Sequence, residues 1–301
     1  MRFSSAKALV LDAQERGYAV PAFNANGATD DIARAAFEAA QELQAPLILQ
    51  AYEPNLEYRG FNYFVKLADI LGDDLNITVP VALHVDHGKT FESFMKAARA
   101  GFTSFMLDAS HEALEINIQK TRRVVEAAKP IGCSVEAEVG YVKGNEPKKE
   151  KLAGRIPVPE KPTVKPAKTD VQEAVRFVNE VDVDMLAVSI GTTHGVFNRQ
   201  DEIDFELLGK LRRAVNVPLV QHGTCGISLE QISKISRSGM SKINFGESFR
   251  FNYIKYFNEL TDTMEHQWHA WKIMREIKNR LKKEMKELIK AMGADGKGGA
   301  R

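Results

Sequence analysis

The chain has 301 residues, a formal net charge of +1 and 44% hydrophobic residues. This length allows one large core, and the near-neutral charge argues against nucleic acid or an acidic membrane surface as the main partner. The two cysteines, Cys133 and Cys225, are too few for a disulfide framework, so a cytoplasmic protein is the simplest expectation. No apolar run is long enough to span a bilayer, and we expect no membrane partner.

Short apolar segments alternate with amphipathic helical segments along the chain. The predicted strands cover residues 19–24, 46–51, 77–86, 104–108, 134–139, 184–189, 217–221 and 241–245. The predicted helices cover residues 4–16, 30–44, 63–71, 91–100, 114–129, 171–180, 204–215 and 229–237. This alternation indicates a parallel sheet buried on both faces. It predicts an α/β fold, a (β/α)8 TIM barrel that forms a single domain over residues 1–301. An open doubly wound sheet is the alternative, although no Gly-x-Gly-x-x-Gly motif follows the first strand.

Two segments fall outside this alternation. Residues 143–168 are rich in Lys, Pro and Gly and follow a strand, so a closing lid and a solvated surface loop are equally open interpretations. Residues 262–292 predict a C-terminal helix, regular from Met264, whose one apolar face packs on the barrel or on a second subunit. Residues 293–301 are expected to form a flexible tail.

The third strand carries the most informative motif, His84-Val85-Asp86-His87-Gly88. In a TIM barrel the chemistry lies at the C-terminal ends of the strands. His84 and Asp86 share one face of the strand, and a loop just past the strand end can turn His87 back toward the same pocket. The motif predicts half of a zinc site with a carboxylate left for proton transfer. A hydrogen-bonded, structural His-Asp pair is the alternative.

Two further histidines follow other strands. His194 comes after the sixth strand and His222 after the seventh, and each is followed by a glycine. Three imidazoles with an open fourth position are typical of a catalytic zinc site. Gly195 and Gly223 would let substrate oxygens approach the backbone beside the metal. Further polar residues at the strand ends are Asn24, Gln50, Asp108, Glu136, Glu138, Asn244, Glu247 and Ser248.

Taken together, these motifs resemble those of the class II, metal-dependent fructose- and tagatose-bisphosphate aldolases. The matching segments are residues 21–24, 83–88, 135–140, 190–195, 220–223 and 242–244. The resemblance implies a zinc-dependent lyase of homodimeric or homotetrameric assembly. It would act on a ketose or ketose phosphate and cleave it between the third and fourth carbons through an enediolate that the zinc stabilises.

The same resemblance implies roles for individual residues. Zn²⁺ would bind His87, His194 and His222, while Asp108 and Glu138 would hold a second or displaced divalent ion; whether a monovalent cation assists stays open. Asp86 would protonate the aldehyde oxygen during cleavage. Glu146, within the lid candidate, would exchange the proton at the carbon next to the ketone. The residues expected to contact substrate are Asn24, Gln50, Gly195, Gly223, Cys225, Asn244, Glu247, Ser248 and Arg275. Arg275 matches more weakly than the others, and an exposed helix arginine is the alternative.

The loops that bind a phosphate in this family differ here at three places. Asn198 replaces a frequent lysine, and Thr224-Cys225 stands where Gly-Ser or Ala-Ser is usual. Glu247 occupies the position of a Thr or Ser, and a carboxylate there would repel a phosphate unless it turned outward and left Ser248 to bind. These differences suggest an alternative function, an aldolase, transaldolase or epimerase acting on a ketose without the donor-side phosphate.

Two other classes of protein fit the sequence less well. A Schiff-base aldolase needs a buried lysine within a strand, and Lys242 is expected to open the eighth strand instead. A non-catalytic metal-binding or sugar-phosphate-binding barrel would keep the three histidines but would not need Asp86 and Glu146. The presence of both carboxylates favours an enzyme.

Overall fold

Eight parallel strands close into a barrel in the computed structural model, which describes residues 2–142, 144, 158–164, 166–200, 202–263 and 268–299. The strands are β1 (Val20–Asn24), β2 (Leu47–Tyr52), β3 (Val81–Gly88), β4 (Ser104–Leu107), β5 (Ser134–Val139), β6 (Met185–Val188), β7 (Leu219–Gln221) and β8 (Met240–Phe245). Each strand pairs in parallel with the next, and β8 pairs with β1. This confirms the predicted (β/α)8 TIM barrel.

Helices surround the barrel. They are α1 (Ala6–Arg16), α2 (Thr29–Glu42), α3 (Glu53–Arg59), α4 (Phe61–Asp74), α5 (Phe91–Ala100), α6 (Leu114–Ala128), α7 (Val171–Glu180), α8 (Phe205–Ala214), α9 (Leu229–Arg237), α10 (Glu247–Thr263) and α11 (Ala270–Ala291), with a 3-10 turn at Lys129–Ile131. Side-chain caps at Thr90, Asp170, Asp204 and Ser228 set the starts of α5, α7, α8 and α9. The sequence pattern missed α3 and α10. α3 is short, and α10 buries only Phe249 and Leu260, so neither shows a long apolar stripe.

A polar layer lies inside the barrel near the C-terminal ends of the first four strands. In register across it are Asn24 on β1, Gln50 on β2, His84 on β3 and Ser104 on β4. The neighbouring residues point the other way, because side chains alternate along a strand. The Phe23 ring packs 5.3 Å from that of Phe249 on α10, and the Phe105 ring 5.6 Å from that of Phe94 on α5. Alternation therefore directs the polar residues inward and the aromatic residues toward the helices.

The C-terminal helix packs on the barrel of its own chain. Its buried face consists of Ile273, Ile277, Leu281, Met285 and Ile289, and it lies against α2, α9 and α10. Lys278 pairs with Glu38 and Lys282 with Glu42 on α2, both at 2.7 Å. Of the two expected packing partners, the barrel is therefore the one observed. The helix is shorter than the predicted 262–292, since α10 ends at Thr263 and α11 begins at Ala270.

The expectation of a flexible tail is wrong for residues 293–299. The Gly296 N–H donates to the Leu43 carbonyl at 2.9 Å, and the Gly298 N–H donates to the Gln44 carbonyl at 2.7 Å. Ala294 is fully buried. Backbone hydrogen bonds to the end of α2 hold this segment, which polar and glycine-rich composition alone does not reveal. None of the helices in the described ranges is long and apolar enough to cross a bilayer.

Candidate metal centre and active site

The end of β3 brings two consecutive side chains into one pocket. Asp86 and His87 would point to opposite faces of a regular strand. The pairing of β3 with β4 shifts between Val85 and Gly88, and His87 adopts the left-handed conformation with φ 53°. A Cβ at Gly88 would lie 2.2 Å from the Phe105 ring, so this backbone path requires glycine. His87 therefore belongs to β3 rather than to the next loop, but it does turn back into the pocket as predicted.

Three imidazoles from three strand ends meet in this pocket. The ring of His87 lies 5.1 Å from that of His194 and 4.9 Å from that of His222, and the last two rings are 5.8 Å apart. One ligand nitrogen from each ring lies within 4.8 Å of the others. His87 Nε2 and His222 Nδ1 are 3.2 Å apart. The residues can thus hold one metal ion between them.

Each imidazole is held from behind by a different carboxylate. The Nδ1–Oδ2 distance from His87 to Asp108 is 2.7 Å, and the Nδ1–Oε1 distance from His194 to Glu247 is 2.8 Å. His222 Nε2 lies 2.8 Å from Glu136 Oε1. Such contacts fix the tautomer and orientation of a metal-binding histidine. They leave His194 Nε2, which is buried and has no partner among the described residues, for a metal.

A second candidate group shares His87 with Asp108 and Glu138, whose ligand atoms also lie within 4.8 Å of one another. Glu138 Oε1 accepts a hydrogen bond from the Val142 N–H at 2.8 Å. Its Oε2 is buried without a hydrogen-bond partner among the described residues and lies 4.0 Å from His222 Nδ1. Burial and the neighbouring charge of Asp108 raise the pKa of Glu138 to about 7. Burying a charged carboxylate with an unsatisfied oxygen costs free energy, and a cation bound beside that oxygen would offset the cost.

Asp86 is held by two amides next to the histidines. Its Oδ2 accepts from Asn24 Nδ2 at 2.8 Å, and its Oδ1 accepts from Asn244 Nδ2 at 3.2 Å. Both amides donate, so they fix the direction of the carboxylate and leave its remaining lone pairs as acceptors. The arrangement can present a proton acceptor to a group bound beside the imidazoles.

The pocket brings together most of the predicted site residues. Those that line it are Asn24, Asp86, His87, Asp108, His194, Gly223, Asn244 and Glu247. His222 and Glu138 lie buried at its base. Gly223 has φ 66°, and a Cβ there would lie 2.7 Å from the Thr193 carbonyl oxygen. The close packing of the loops after β6 and β7 therefore requires a glycine at this position. This reason is independent of the predicted role of Gly223 in substrate binding.

The remaining predicted residues lie outside the lining of the pocket. Gln50 is fully buried in the barrel interior, and both atoms of its amide lack a partner among the described residues. Gly195, Cys225 and Ser248 follow the correct strands but do not line the pocket. Arg275 lies on α11 over the Trp271 ring, at 5.1 Å, as the helix-surface alternative describes. Glu146 and most of the lid candidate lie outside the described residues.

Lys242 lies within β8 and does not open it, which corrects the expectation from the sequence. Its Nζ bonds to Glu136 Oε2 at 2.7 Å, and both side chains are fully buried. Glu136 Oε1 also bonds to His222 Nε2, and Glu136 Oε2 lies 3.6 Å from His84 Nε2. Neither Lys242 nor Glu136 lines the pocket. The lysine therefore compensates a buried carboxylate beneath the site.

Glu247 turns into the pocket, so the alternative in which it points outward is wrong. Its side chain is 15% exposed, and one oxygen bonds to His194. Burial alone would raise its pKa, but the His194 imidazole and the Arg250 guanidinium lower the pKa to about 2. The Glu247 carboxylate therefore lies inside the pocket and is held there by His194.

Several residues that line the pocket were not among the predicted site residues. Four with large polar or charged side chains are Tyr52, Lys89, Tyr141 and Arg250. The first three directly follow strand ends or the His87 motif, which was a usable signal. Arg250 had no signal, because α10 was not predicted. The role of Glu136 behind His222 was also missed, since β5 and β7 are not neighbours in the barrel.

Comparisons with known proteins agree with this architecture. Residues 4–297 match the family described as fructose-bisphosphate aldolase class-II. The chain is 36% identical to a fructose-bisphosphate aldolase of Helicobacter pylori, covering 96% of this chain and 97% of that protein. It is 34% identical to one of Staphylococcus aureus, covering 99% of each. The crystal structure of the YdjI aldolase from Escherichia coli K12 superimposes with a TM-score of 0.82 at 30% identity, covering 99% of this chain and 100% of that one.

The barrel and its histidine-carboxylate pocket define the chain as a lyase of the aldolase class. More particularly, the chain belongs to the class II fructose-bisphosphate aldolase family.

Proposed function

We propose that the protein is a zinc-dependent aldolase that cleaves and forms the C3–C4 bond of a phosphorylated ketose. The observation that carries this proposal is the meeting of His87, His194 and His222 beside Asp86 at the C-terminal ends of the strands. The names of the relatives as fructose-bisphosphate aldolases support the same reaction.

The three histidines are the proposed zinc ligands. Three imidazoles with room for substrate match the donors that catalytic zinc prefers, and the unpartnered Nε2 of His194 is a donor atom without another use in the described structure. When bound, zinc supplies a Lewis acid that polarises the ketone and stabilises the negative charge left on the donor half by cleavage. Asp108 and Glu138 are proposed to hold a second or displaced cation.

Asp86 is the proposed proton-transfer group. Cleavage requires the C4 hydroxyl to lose its proton as the aldehyde forms, and Asp86, held as an acceptor by Asn24 and Asn244, would take it. In the direction of bond formation, Asp86 returns that proton to the aldehyde oxygen. This proton balance corrects the expectation that Asp86 protonates the aldehyde oxygen during cleavage. Glu146 stays the proposed group for proton exchange at the donor carbon.

The proposed enzyme is a cytoplasmic homo-oligomer. Several apolar side chains of the C-terminal helices are exposed: Ile254 and Phe257 on α10, Trp271 on α11, and Trp268 just before α11. Large exposed apolar side chains support a homodimer or homotetramer. Both cysteines are free and buried, which fits a reducing, cytoplasmic compartment.

The test is a screen of the zinc-loaded protein against phosphorylated and free ketoses with detection of the released aldehyde. Fructose-1,6-bisphosphate and monophosphorylated ketoses are included, and a chelator-treated sample serves as the control. We expect cleavage of at least one ketose phosphate that the chelator abolishes and zinc restores. Absence of cleavage for every ketose, or full activity after metal removal, would refute the proposed function.

A further inference from the structure

A buried lysine and a buried carboxylate lie behind one of the proposed zinc ligands. Lys242 Nζ lies 2.7 Å from Glu136 Oε2, and both side chains are fully buried. Glu136 Oε1 lies 2.8 Å from Nε2 of His222, which is also fully buried. The carboxylates behind the other two proposed ligands, Asp108 and Glu247, are 12% and 15% exposed. Of the three carboxylates, Glu136 is therefore the one whose charge water screens least.

His222 presents a different nitrogen to the metal than the other two ligands do. His87 and His194 turn Nδ1 toward their carboxylates, which leaves Nε2 for a metal. In His222, Nε2 meets Glu136, so Nδ1 faces the site and lies 3.2 Å from His87 Nε2. A neutral imidazole binds a metal through the nitrogen that carries no proton. His222 must therefore carry its proton on Nε2.

Two neighbours of His222 Nε2 favour opposite tautomers. The Glu136 carboxylate accepts hydrogen bonds, so it favours a proton on Nε2. The Asn244 Nδ2 group lies 3.1 Å from the same nitrogen and can only donate, so it favours a proton on Nδ1. A hydrogen bond to an ionised acceptor is about twice as strong as one between neutral groups. The charge of Glu136 therefore decides the tautomer.

Lys242 holds both the charge and the position of Glu136. A buried carboxylate that lacks a cation is costly, and Lys242 Nζ supplies the cation at Oε2 while Oε1 stays on His222. A second imidazole lies within reach, since His84 Nε2 is 3.6 Å from Glu136 Oε2 and has no hydrogen-bond partner among the described residues. Without the lysine, Glu136 would be free to turn toward His84 and release His222.

We propose that Lys242 is a positioning residue of the metal centre, which acts through Glu136 to fix the tautomer of His222 whose Nδ1 can bind zinc. Lys242 does not line the pocket, so its effect reaches the metal through the carboxylate rather than through contact with substrate. This inference rests on the proposed zinc ligands. It gives the buried ion pair a role in metal binding beyond the compensation of charge.

The first test reads the tautomer in metal-free protein by NMR of isotopically labelled histidine rings, with His222 assigned from His222→Gln. We expect the wild type to carry the proton on Nε2, and Lys242→Met to shift it toward Nδ1. Lys278→Met is the matched control, because Lys278 pairs with Glu38 at 2.7 Å outside the pocket lining. It should lower stability and leave the tautomer unchanged. A wild-type proton on Nδ1, or an unchanged tautomer in Lys242→Met, would overturn the inference.

Zinc affinity, measured by competition against a chelator, gives the second readout. Lys242→Met should weaken zinc binding by about 10- to 100-fold, the range for loss of a partner behind a ligand, while Lys278→Met should bind as the wild type does. Wild-type affinity in Lys242→Met would contradict the inference.

A double variant covers the case in which Lys242→Met does not fold. Lys242→Met combined with Glu136→Gln contains neither buried charge, and the glutamine oxygen can still accept from His222 Nε2. It should fold and bind zinc within about tenfold of the wild type, and more tightly than Lys242→Met. A loss of more than about tenfold in the double variant would show that the lysine acts by another route, and it would overturn the inference.

Failure of the proposed function has a different signature, because neither readout needs turnover. If the wild type binds zinc but cleaves no ketose, the aldolase proposal fails, while the tautomer and the zinc affinity still decide the role of Lys242. If the wild type cleaves a ketose phosphate and Lys242→Met keeps the wild-type tautomer, only the role of Lys242 is refuted.

Discussion

Glu247 Oε1 lies 2.8 Å from Nδ1 of His194, so a carboxylate from the start of α10 holds an imidazole that follows β6. His87 and His222 have equivalent partners in Asp108 and Glu136. The carboxylate at position 247, which looked adverse to a phosphate, thus completes a set of three histidine-carboxylate pairs.

Substitution of Glu247 tests this contact. Glu247→Gln and Glu247→Thr should weaken zinc binding by about 10- to 100-fold, because the supporting contact to His194 loses its charge or its reach. Competition against a chelator of known affinity measures this. The exposed Glu206→Gln is the matched control and should bind zinc as the wild type does. Wild-type affinity in both Glu247 variants would show that the contact does not support a ligand.

Removal of one imidazole should release the metal. His194→Ala should lose most of its bound zinc, because two imidazoles give an incomplete site. The control is His111→Ala, since His111 lines the same pocket but belongs to neither candidate metal group. Metal content per chain after dialysis is the measurement. A fully loaded His194→Ala protein would contradict the proposed ligand set.

Loss of the Asp86 carboxylate should separate catalysis from metal binding. Asp86→Asn keeps the shape of the side chain but cannot accept the substrate proton, so kcat should fall by about 10²- to 10⁴-fold. Its zinc content should stay at the wild-type level because Asp86 is not in either candidate metal group. Unchanged turnover would remove Asp86 from proton transfer.

The buried Lys242 gives a test of the Schiff-base alternative. Its amine is bonded to Glu136 beneath the pocket, so borohydride added with substrate should neither inactivate the enzyme nor add mass to Lys242. Lys242→Met should instead lower the free energy of unfolding, by about 3–5 kcal/mol, because it leaves Glu136 as an uncompensated buried charge. Peptide mass analysis and denaturant unfolding are the measurements. A reduced adduct on Lys242 would establish covalent catalysis.

The ion pairs between α2 and α11 predict a dependence of stability on pH. Hydrogen bonds from Lys282 and Lys286 hold the pKa of Glu42 below its usual 4.5. A lowered pKa in the folded state stabilises the protein above the unfolded value, and this contribution is lost as pH falls through the folded value. The side chain of Glu42 is 43% exposed, so the contribution should be under about 1 kcal/mol.

Glu42→Gln should therefore be less stable than the wild type at pH 7, and the difference should disappear at acidic pH below the usual carboxyl range. Urea unfolding at several pH values measures it. Glu126→Gln, on the exposed face of α6, is the control and should show no such convergence. A difference independent of pH would exclude the ion pairs as its cause.

The sequence by itself determined the barrel and much of its site. The alternation of apolar strands and helices specified eight units, since each strand must be buried on both faces. The motifs at His87, His194 and His222 identified the candidate ligands, because strand ends on one side of a barrel necessarily come together.

Only the tertiary structure decided what stands behind and around these ligands. Glu247 reaches His194, Glu136 reaches His222 and Arg250 faces the pocket because elements distant in sequence are brought within hydrogen-bond range by barrel closure. The left-handed backbone at His87 and the ordered tail on α2 have the same origin. The periodicity of the sequence predicts which face of a helix or strand is buried. It does not predict which side chain of another element a buried polar atom will contact.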